Sequence, residues 1–319
     1  MRKVLVTGGC GFIGSHMAKR LYNEGKYVVI ADITENKFMN YKYYSKKYLV
    51  DLRDMKNCLK LTKGVDQVYH FAANMGGIGY ITEIGADIIR DNALININML
   101  EATRINKVKK FLFSSSACIY PEYKQHEDPN VSLREEDAYP ADPDQYYGWE
   151  KLFTEKACEA YTRDYGLETR VARFHNIYGP EGTYEGGKEK SPAALCRKAA
   201  KYPKERFVIW GDGKQVRSYC YIDDCIEGLI KLMESDFDEP INLGTDKATT
   251  IDELADLIIR ISGKDIKKEY DLTKPQGVRY RNADITLAKK VLNWYPKITL
   301  RDGISRTYKW IHKQVGSSD

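Results

Sequence analysis

The chain opens on an arrangement that few folds accommodate: Lys3-Val4-Leu5-Val6, then Thr7-Gly8-Gly9-Cys10-Gly11-Phe12-Ile13-Gly14, then a helical stretch over residues 15–22. An apolar strand passing through a glycine-rich turn into a helix sets the helix N-terminus, with its unpaired N–H groups and positive dipole end, beside bare backbone. A pyrophosphate can then approach the main chain closely. Gly9-x-Gly11-x-x-Gly14 alone is a weak signal, because glycine-rich turns are common. It gains force from Tyr27-Val28-Val29-Ile30-Ala31-Asp32, a second strand ending in a carboxylate where the ribose diol of a dinucleotide is read. Asp32 would repel a 2′-phosphate, which favours NAD over NADP.

Strand and helix signals alternate as far as Asp164, which argues for a doubly wound α/β sheet. Tyr48-Leu49-Val50 reads as a third strand. Asp51-Leu52 at its end would border the adenine, although a helix-starting aspartate is nearly as good a reading. Residues 66–73, with His70 as a core histidine, form a buried parallel strand. The loop Asn74-Met75-Gly76-Gly77-Ile78-Gly79 follows it, where ligands of open parallel sheets gather. Residues 169–174 return to the sheet. Beyond them come loops rich in Gly, Pro and Lys, short strands at 207–210 and 241–243, and a helix over 251–261. That helix carries Ile251, Leu254, Ala255 and Ile258 on one face. The expected fold is therefore α/β: a Rossmann-like doubly wound parallel sheet with a smaller C-terminal α/β substrate lobe. Residues 1–175 form the NAD-binding domain and 176–319 mainly the second lobe, with a strand able to cross back.

With 319 residues, 43% of them hydrophobic, the chain can bury one large core or two lobes. No apolar run approaches the roughly 20 residues of a membrane helix, and Met1 leads straight into a strand rather than a signal sequence. The net charge of +5 is small for the length. It gives no ground for a nucleic-acid partner and suits an anionic substrate. Seven cysteines show no Cys-x-x-Cys and no histidine at ligand spacing, so neither a disulfide framework nor a metal site is indicated. A reducing cytoplasmic setting is the simplest reading. The Gly-Ser-Ser-Asp end from Gly316 reads as loose.

The chemistry is carried by two short stretches. Tyr147-Gly148-Trp149-Glu150-Lys151 places a phenol and an ammonium four apart, on one helix face. A nearby cation favours the phenolate, so Tyr147 is expected below its free pKa of about 10. Ser114-Ser115-Ser116-Ala117-Cys118 follows an apolar run and sets the Ser116 hydroxyl two residues from the Cys118 thiol. A base for a hydroxyl proton beside a thiol for a carbon-bound proton suggests oxidation coupled to epimerisation. Taken alone, Cys118 would more readily be inert packing, and Lys190 a solvated surface residue.

With the glycine turn, Asp32, Ser116, Tyr147 and Lys151 in order, the chain resembles the extended short-chain dehydrogenase/reductase family over nearly its full length. The resemblance implies tightly held NAD bound by Gly8, Gly11, Phe12, Ile13, Gly14, Asp32, Asp51, Leu52, Ala72, Tyr147 and Lys151. It implies that Tyr147 takes a sugar hydroxyl proton, that Ser116 orients this hydroxyl, and that Lys151 holds the cofactor ribose. Dehydratases of the family carry a glutamate where this chain has Cys118, so dehydration is not expected. A thiol there resembles the branches that act at C3 and C5 of GDP-sugars. One uses a histidine as partner acid; the other uses a lysine in a context like Lys188-Glu189-Lys190-Ser191-Pro192-Ala193-Ala194. The second likeness gives the acid role to Lys190 and makes GDP-mannose the expected substrate. It places Met75, Gly76, Ser116, Cys118, Asn176, Glu189, Lys190, Lys198, Gln215, Arg217 and Arg279 around the sugar nucleotide, in a homodimer. The alternatives are a GDP-4-keto-6-deoxy-sugar epimerase/reductase, an enzyme for another GDP-sugar such as a GDP-heptose, and an NAD-binding scaffold without chemistry.

Overall fold

Val4 and Val6 of the first strand face one hydrophobic core and Leu5 faces another, so a two-residue period buries both sides. A strand of this kind belongs inside a sheet covered by helices on both faces. The computed structural model describes residues 2–35, 38 and 42–316, so the tail beyond Gly316 lies outside the described residues. In chain order the first part holds β1 (Lys3–Thr7), α1 (Phe12–Asn23), β2 (Tyr27–Asp32), β3 (Lys46–Leu49), α2 (Met55–Thr62) and β4 (Gln67–His70). Then follow α3 (Ile78–Glu83), α4 (Gly85–Ile105), β5 (Lys110–Ser116), α5 (Gln145–Tyr165) and β6 (Glu168–Phe174). Helix α1 begins at Phe12, inside the glycine turn, three residues earlier than the sequence pattern marks it.

The remainder holds β7 (Ile177–Tyr178), α6 (Ser191–Lys201), β8 (Val208–Trp210), β9 (Val216–Ser218), β10 (Cys220–Tyr221), α7 (Ile222–Glu234) and β11 (Ile241–Leu243). It closes with β12 (Ala248–Thr250), α8 (Ile251–Ser262), β13 (Glu269–Asp271), β14 (Tyr280–Arg281), α9 (Thr286–Leu292) and α10 (Leu300–Gly316). The central sheet has the order β11-β6-β5-β4-β1-β2-β3. All its neighbours are parallel. Strand β11 pairs Ile241 to Leu243 with Ala172 to Phe174 of β6, so a segment beyond residue 175 completes the sheet. Helix α7 joins the same core as α1, through Leu229 and Met17 among others.

Chain order reverses at β1, which has β2 on one side and β4 on the other. Such a switch point opens a crevice at the carboxyl ends of the strands. The glycine turn and the loop after β4 flank it. Small sheets β12-β9-β14 and β13-β8 carry the second lobe beside the crevice, backed by α6, α8 and α10. Helix α8 is nucleated by a reciprocal cap between Thr250 and Glu253 and ends on Gly263 at φ +67°. It buries Leu254, Ala255 and Ile258, three of the four residues its periodicity singles out. Among the described residues, no helix is long and apolar enough to cross a membrane.

Candidate active site

A cavity of about 970 Å³ runs along the switch point and into the second lobe. Its floor is the glycine turn. Gly8 has φ +64°, and a Cβ there would stand 2.8 Å from the amide nitrogen of Ala72. A Cβ on Gly14 would stand 2.1 Å from the Gly8 carbonyl oxygen. The turn can therefore lie flat under a ligand only with glycine at these positions. Helix α1 starts without a side-chain cap, which leaves the N–H groups of its first turn for an anion. Asp32 is held at the end of β2 by the N–H groups of Cys10 at 2.9 Å and Ile33 at 2.8 Å. This bare turn, uncapped helix and oriented carboxylate fit a dinucleotide. Phe12, Ile13, Gly11, Leu52 and Ala72 line the same stretch. Asp51 lines it too, with its carboxylate tied to Arg53, which lowers its pKa. His70 is buried between Thr7 and Asn96, and burial pushes its pKa down to about 3, so it stays neutral.

Strand β5 ends at Ser116 and turns at once into a short 3₁₀ segment, Ala117–Ile119, whose first N–H groups need partners. The Ser116 hydroxyl accepts from the Cys118 N–H at 3.2 Å, and the Cys118 carbonyl accepts from the Asp144 N–H at 3.0 Å. The thiol is thereby held at the cavity wall. A Cβ on Gly148 would stand 2.1 Å from the Cys118 carbonyl oxygen, so α5 can pass this close only with glycine there. Tyr147 and Lys151 project from that helix into the cavity, whose lining also includes Ser116. The Lys151 ammonium lies over the rings of Phe113 at 4.7 Å and Tyr147 at 5.4 Å, and 3.7 Å from Glu150.

The expected lowering of the Tyr147 pKa is not what the packing produces. Burial raises it well above the ordinary tyrosine value, and the charges of Glu150 and Cys118 raise it further; only the Ser116 hydrogen bond opposes them. Desolvation of the phenolate is the largest effect, and the carboxylate of Glu150 adds to it.

The second lobe brings most of its candidates to the cavity. Met75, Gly76, Asn176, Glu189, Lys190, Lys198, Gln215 and Arg217 all line it. Lys190 shares this lining with Cys118. Lys190 is exposed along the cavity, yet desolvation by the surrounding lining, with Arg281 nearby, holds its pKa below the usual lysine range despite the Cys118 charge, which acts the other way. Arg217 donates to the carbonyls of Val216, Gln276 and Arg279, and burial brings it down to about 10. Lys198 donates to the Val208 carbonyl, and Asn176 to that of Ser218 at 3.0 Å. The Glu189 carboxylate is taken up by Arg197 and by the Gly187 N–H at 2.7 Å, so it anchors its own loop.

Arg279 is the candidate that the fold does not bring there. It makes a two-pronged ion pair with Asp212 at 2.8 and 3.0 Å and is absent from the cavity lining. Two residues on, Arg281 takes up a position that sequence reasoning missed. It is 8% exposed and donates to Gln125 at 2.6 Å, to Asp144 at 2.9 Å and to the Cys118 sulfur at 3.3 Å. Gly277-Val278-Arg279-Tyr280-Arg281 offers two arginines. Only the distant partners Gln125 and Asp144 choose between them.

Residues 4–244 match the family described as Epimerase: NAD dependent epimerase/dehydratase family. The chain belongs to that family. It is 50% identical over 314 residues to GDP-mannose 3,5-epimerase 1 of Oryza sativa subsp. japonica, covering 98% of this chain and 82% of that protein. It is 48% identical to GDP-mannose 3,5-epimerase of Arabidopsis thaliana, covering 98% of this chain and 83% of that one. Among solved structures, UDP-glucose 4-epimerase of Thermotoga maritima with UDP-glucose superposes with a TM-score of 0.90 at 30% identity, covering 98% and 99% of the two chains.

Proposed function

We propose that the chain is a GDP-mannose 3,5-epimerase. The observation that carries this reading is one cavity lined by Ser116, Tyr147, the Cys118 thiol and Lys190, with Arg281 at the sulfur. NAD, which the glycine turn, Asp32 and Lys151 would hold, would supply a reversible hydride acceptor for C4 of the sugar. Tyr147 takes the C4 hydroxyl proton, and Ser116 orients that hydroxyl. A ketone at C4 acidifies the protons on both C3 and C5, so one oxidation opens two stereocentres. Cys118 removes a proton from one face and Lys190 supplies one from the other, which inverts the centre. General acid–base participation of this kind is worth about 10²–10⁴-fold in rate. The lowered Lys190 pKa makes that ammonium a readier proton donor than a solvated lysine.

Arg217, whose own hydrogen bonds run to backbone carbonyls, offers its charge to the diphosphate. Tyr146, Trp149 and Phe153 form an exposed apolar stripe at i, i+3 and i+7 on α5. That stripe supports a homodimer with a self-complementary contact there. Cys58, Cys118, Cys158, Cys196, Cys220 and Cys225 form no disulfide, which suits a reducing cytoplasm.

The test is incubation with GDP-mannose in D₂O, followed by NMR, without added nicotinamide. Deuterium at C3 and C5 with inverted configuration is expected, and Tyr147→Phe should abolish both. Stoichiometric consumption of a reduced nicotinamide would instead identify an epimerase/reductase. Turnover of other GDP-sugars in preference to GDP-mannose would move the substrate assignment.

A further inference from the structure

Glu150 immediately precedes Lys151 on α5 and is 1% exposed, as Lys151 is. Its Oε1 accepts from Asn92 Nδ2 at 2.9 Å and its Oε2 from Asn96 Nδ2 at 3.0 Å, both on α4. Oε1 also lies 3.7 Å from Lys151 Nζ. The two amides are themselves fixed. Asn92 Oδ1 accepts from the Asn74 N–H at 2.6 Å, its Nδ2 donates to the Asn74 carbonyl at 3.0 Å, and Asn96 Oδ1 faces His70 Nε2 at 2.9 Å. The carboxylate is thus clamped by the loop after β4 and by the strand beneath it. Burial raises the Glu150 pKa, while the Lys151 charge and the two amide N–H donors act the other way and favour its ionised form. Breaking such a pair on one side leaves a buried charge uncompensated.

We propose that Glu150 is a positioning residue of the active site, the built-in counter-charge that holds the Lys151 ammonium next to Tyr147 and acts on the phenol through its own negative charge. This role rests on the reading of Tyr147 and Lys151 as the proton and ribose partners of hydride transfer. Other charged groups around the pair are otherwise engaged. Cys118 lines the cavity with Tyr147 and Lys190 and has Arg281 at its sulfur, with Asp144 bound to Arg281. His70 is neutral behind Asn96. Asp91, next to Asn92, is held by Arg53 and Arg90, and Glu155, one turn along α5, is paired with Arg173.

The sign follows from charge alone: an anion near Tyr147 disfavours the phenolate, so Glu150→Gln should let it form at lower pH. Rate–pH profiles of C4 oxidation would be compared for wild type, Glu150→Gln and Glu150→Asp. The acid limb is expected to move down by about one pH unit in the Gln variant and to stay near wild type in the Asp variant. A lowered plateau with the limb in place would show mere structural support and overturn the proposal. A second readout needs no substrate: a thermal-unfolding cycle with Glu150→Gln, Lys151→Met and the double variant. The double variant is expected to be less destabilised than the sum of the single ones, and to recover folding if Glu150→Gln alone does not fold. Additive losses, or a double variant that also fails to fold, would overturn the pairing. If wild type formed no 4-keto sugar, the hydride reading would fall while the unfolding cycle still decided the pair.

Discussion

Arg281 Nη1 lies 3.3 Å from the sulfur of Cys118, although 163 positions separate the two residues in the chain. The same guanidinium binds Asp144 and Gln125, so its orientation is set before any substrate arrives. The guanidinium thus fixes the sulfur that is proposed to take a carbon-bound proton.

Arg281→Lys keeps the charge and loses the planar fork that reaches three partners at once. We expect proton exchange at C3 and C5 to fall by about 10–150-fold, the worth of one charge-assisted hydrogen bond. C4 oxidation, read from absorbance of the reduced nicotinamide after one turnover, should fall far less. Equal losses in both steps would place Arg281 in general binding rather than at the thiol.

Cys118→Ala and Lys190→Ala should separate the two proton-transfer roles. The first is expected to form some 4-keto sugar yet to incorporate no deuterium at C3 or C5. The second should still show wash-in with retained configuration while inversion drops. Deuterium incorporation at the wild-type rate in Cys118→Ala would remove the thiol from the base role.

Arg217→Ala should weaken GDP-sugar binding by about 10–150-fold, since a charge-assisted contact is worth about 1.5–3 kcal/mol. Arg279→Ala, whose guanidinium is spent on Asp212, should leave the same titration nearly unchanged. Isothermal titration of both variants with GDP-mannose checks the contrast, and equal losses would return Arg279 to the site.

His70 and His175 are both fully buried, and burial pushes each from 6.5 down to about 3. Between these values the unfolded chain binds protons that the folded protein excludes, so stability rises with pH across that window. Each histidine contributes a slope of up to about 1.4 kcal/mol per pH unit below pH 6.5. Denaturant unfolding between pH 5 and 6.5, ahead of most carboxylate titration, should show this slope. Variants His70→Gln and His175→Gln should each flatten it, and an unchanged slope in both would assign the acid sensitivity elsewhere.

The features legible in the chain are those set by neighbours within a turn or a strand. Val4, Leu5 and Val6 announce a strand buried on both faces, Gly8 to Gly14 a turn with room for a phosphate, and Asp32 the end of the next strand. The four-residue step from Tyr147 to Lys151 and the two-residue step from Ser116 to Cys118 place their side chains by backbone geometry alone. Tertiary packing decided the rest, because desolvation and ion pairing depend on segments far apart in sequence. It buried the Tyr147 phenol and set Glu150, held by Asn92, Asn96 and Lys151, nearby, and so left the phenol raised where a lone lysine beside it would lower it. It turned the Glu189 carboxylate to Arg197. It also chose Arg281 over Arg279 for the thiol, since only the folded chain brings Asp144 and Gln125 to one of two otherwise equivalent guanidinium groups.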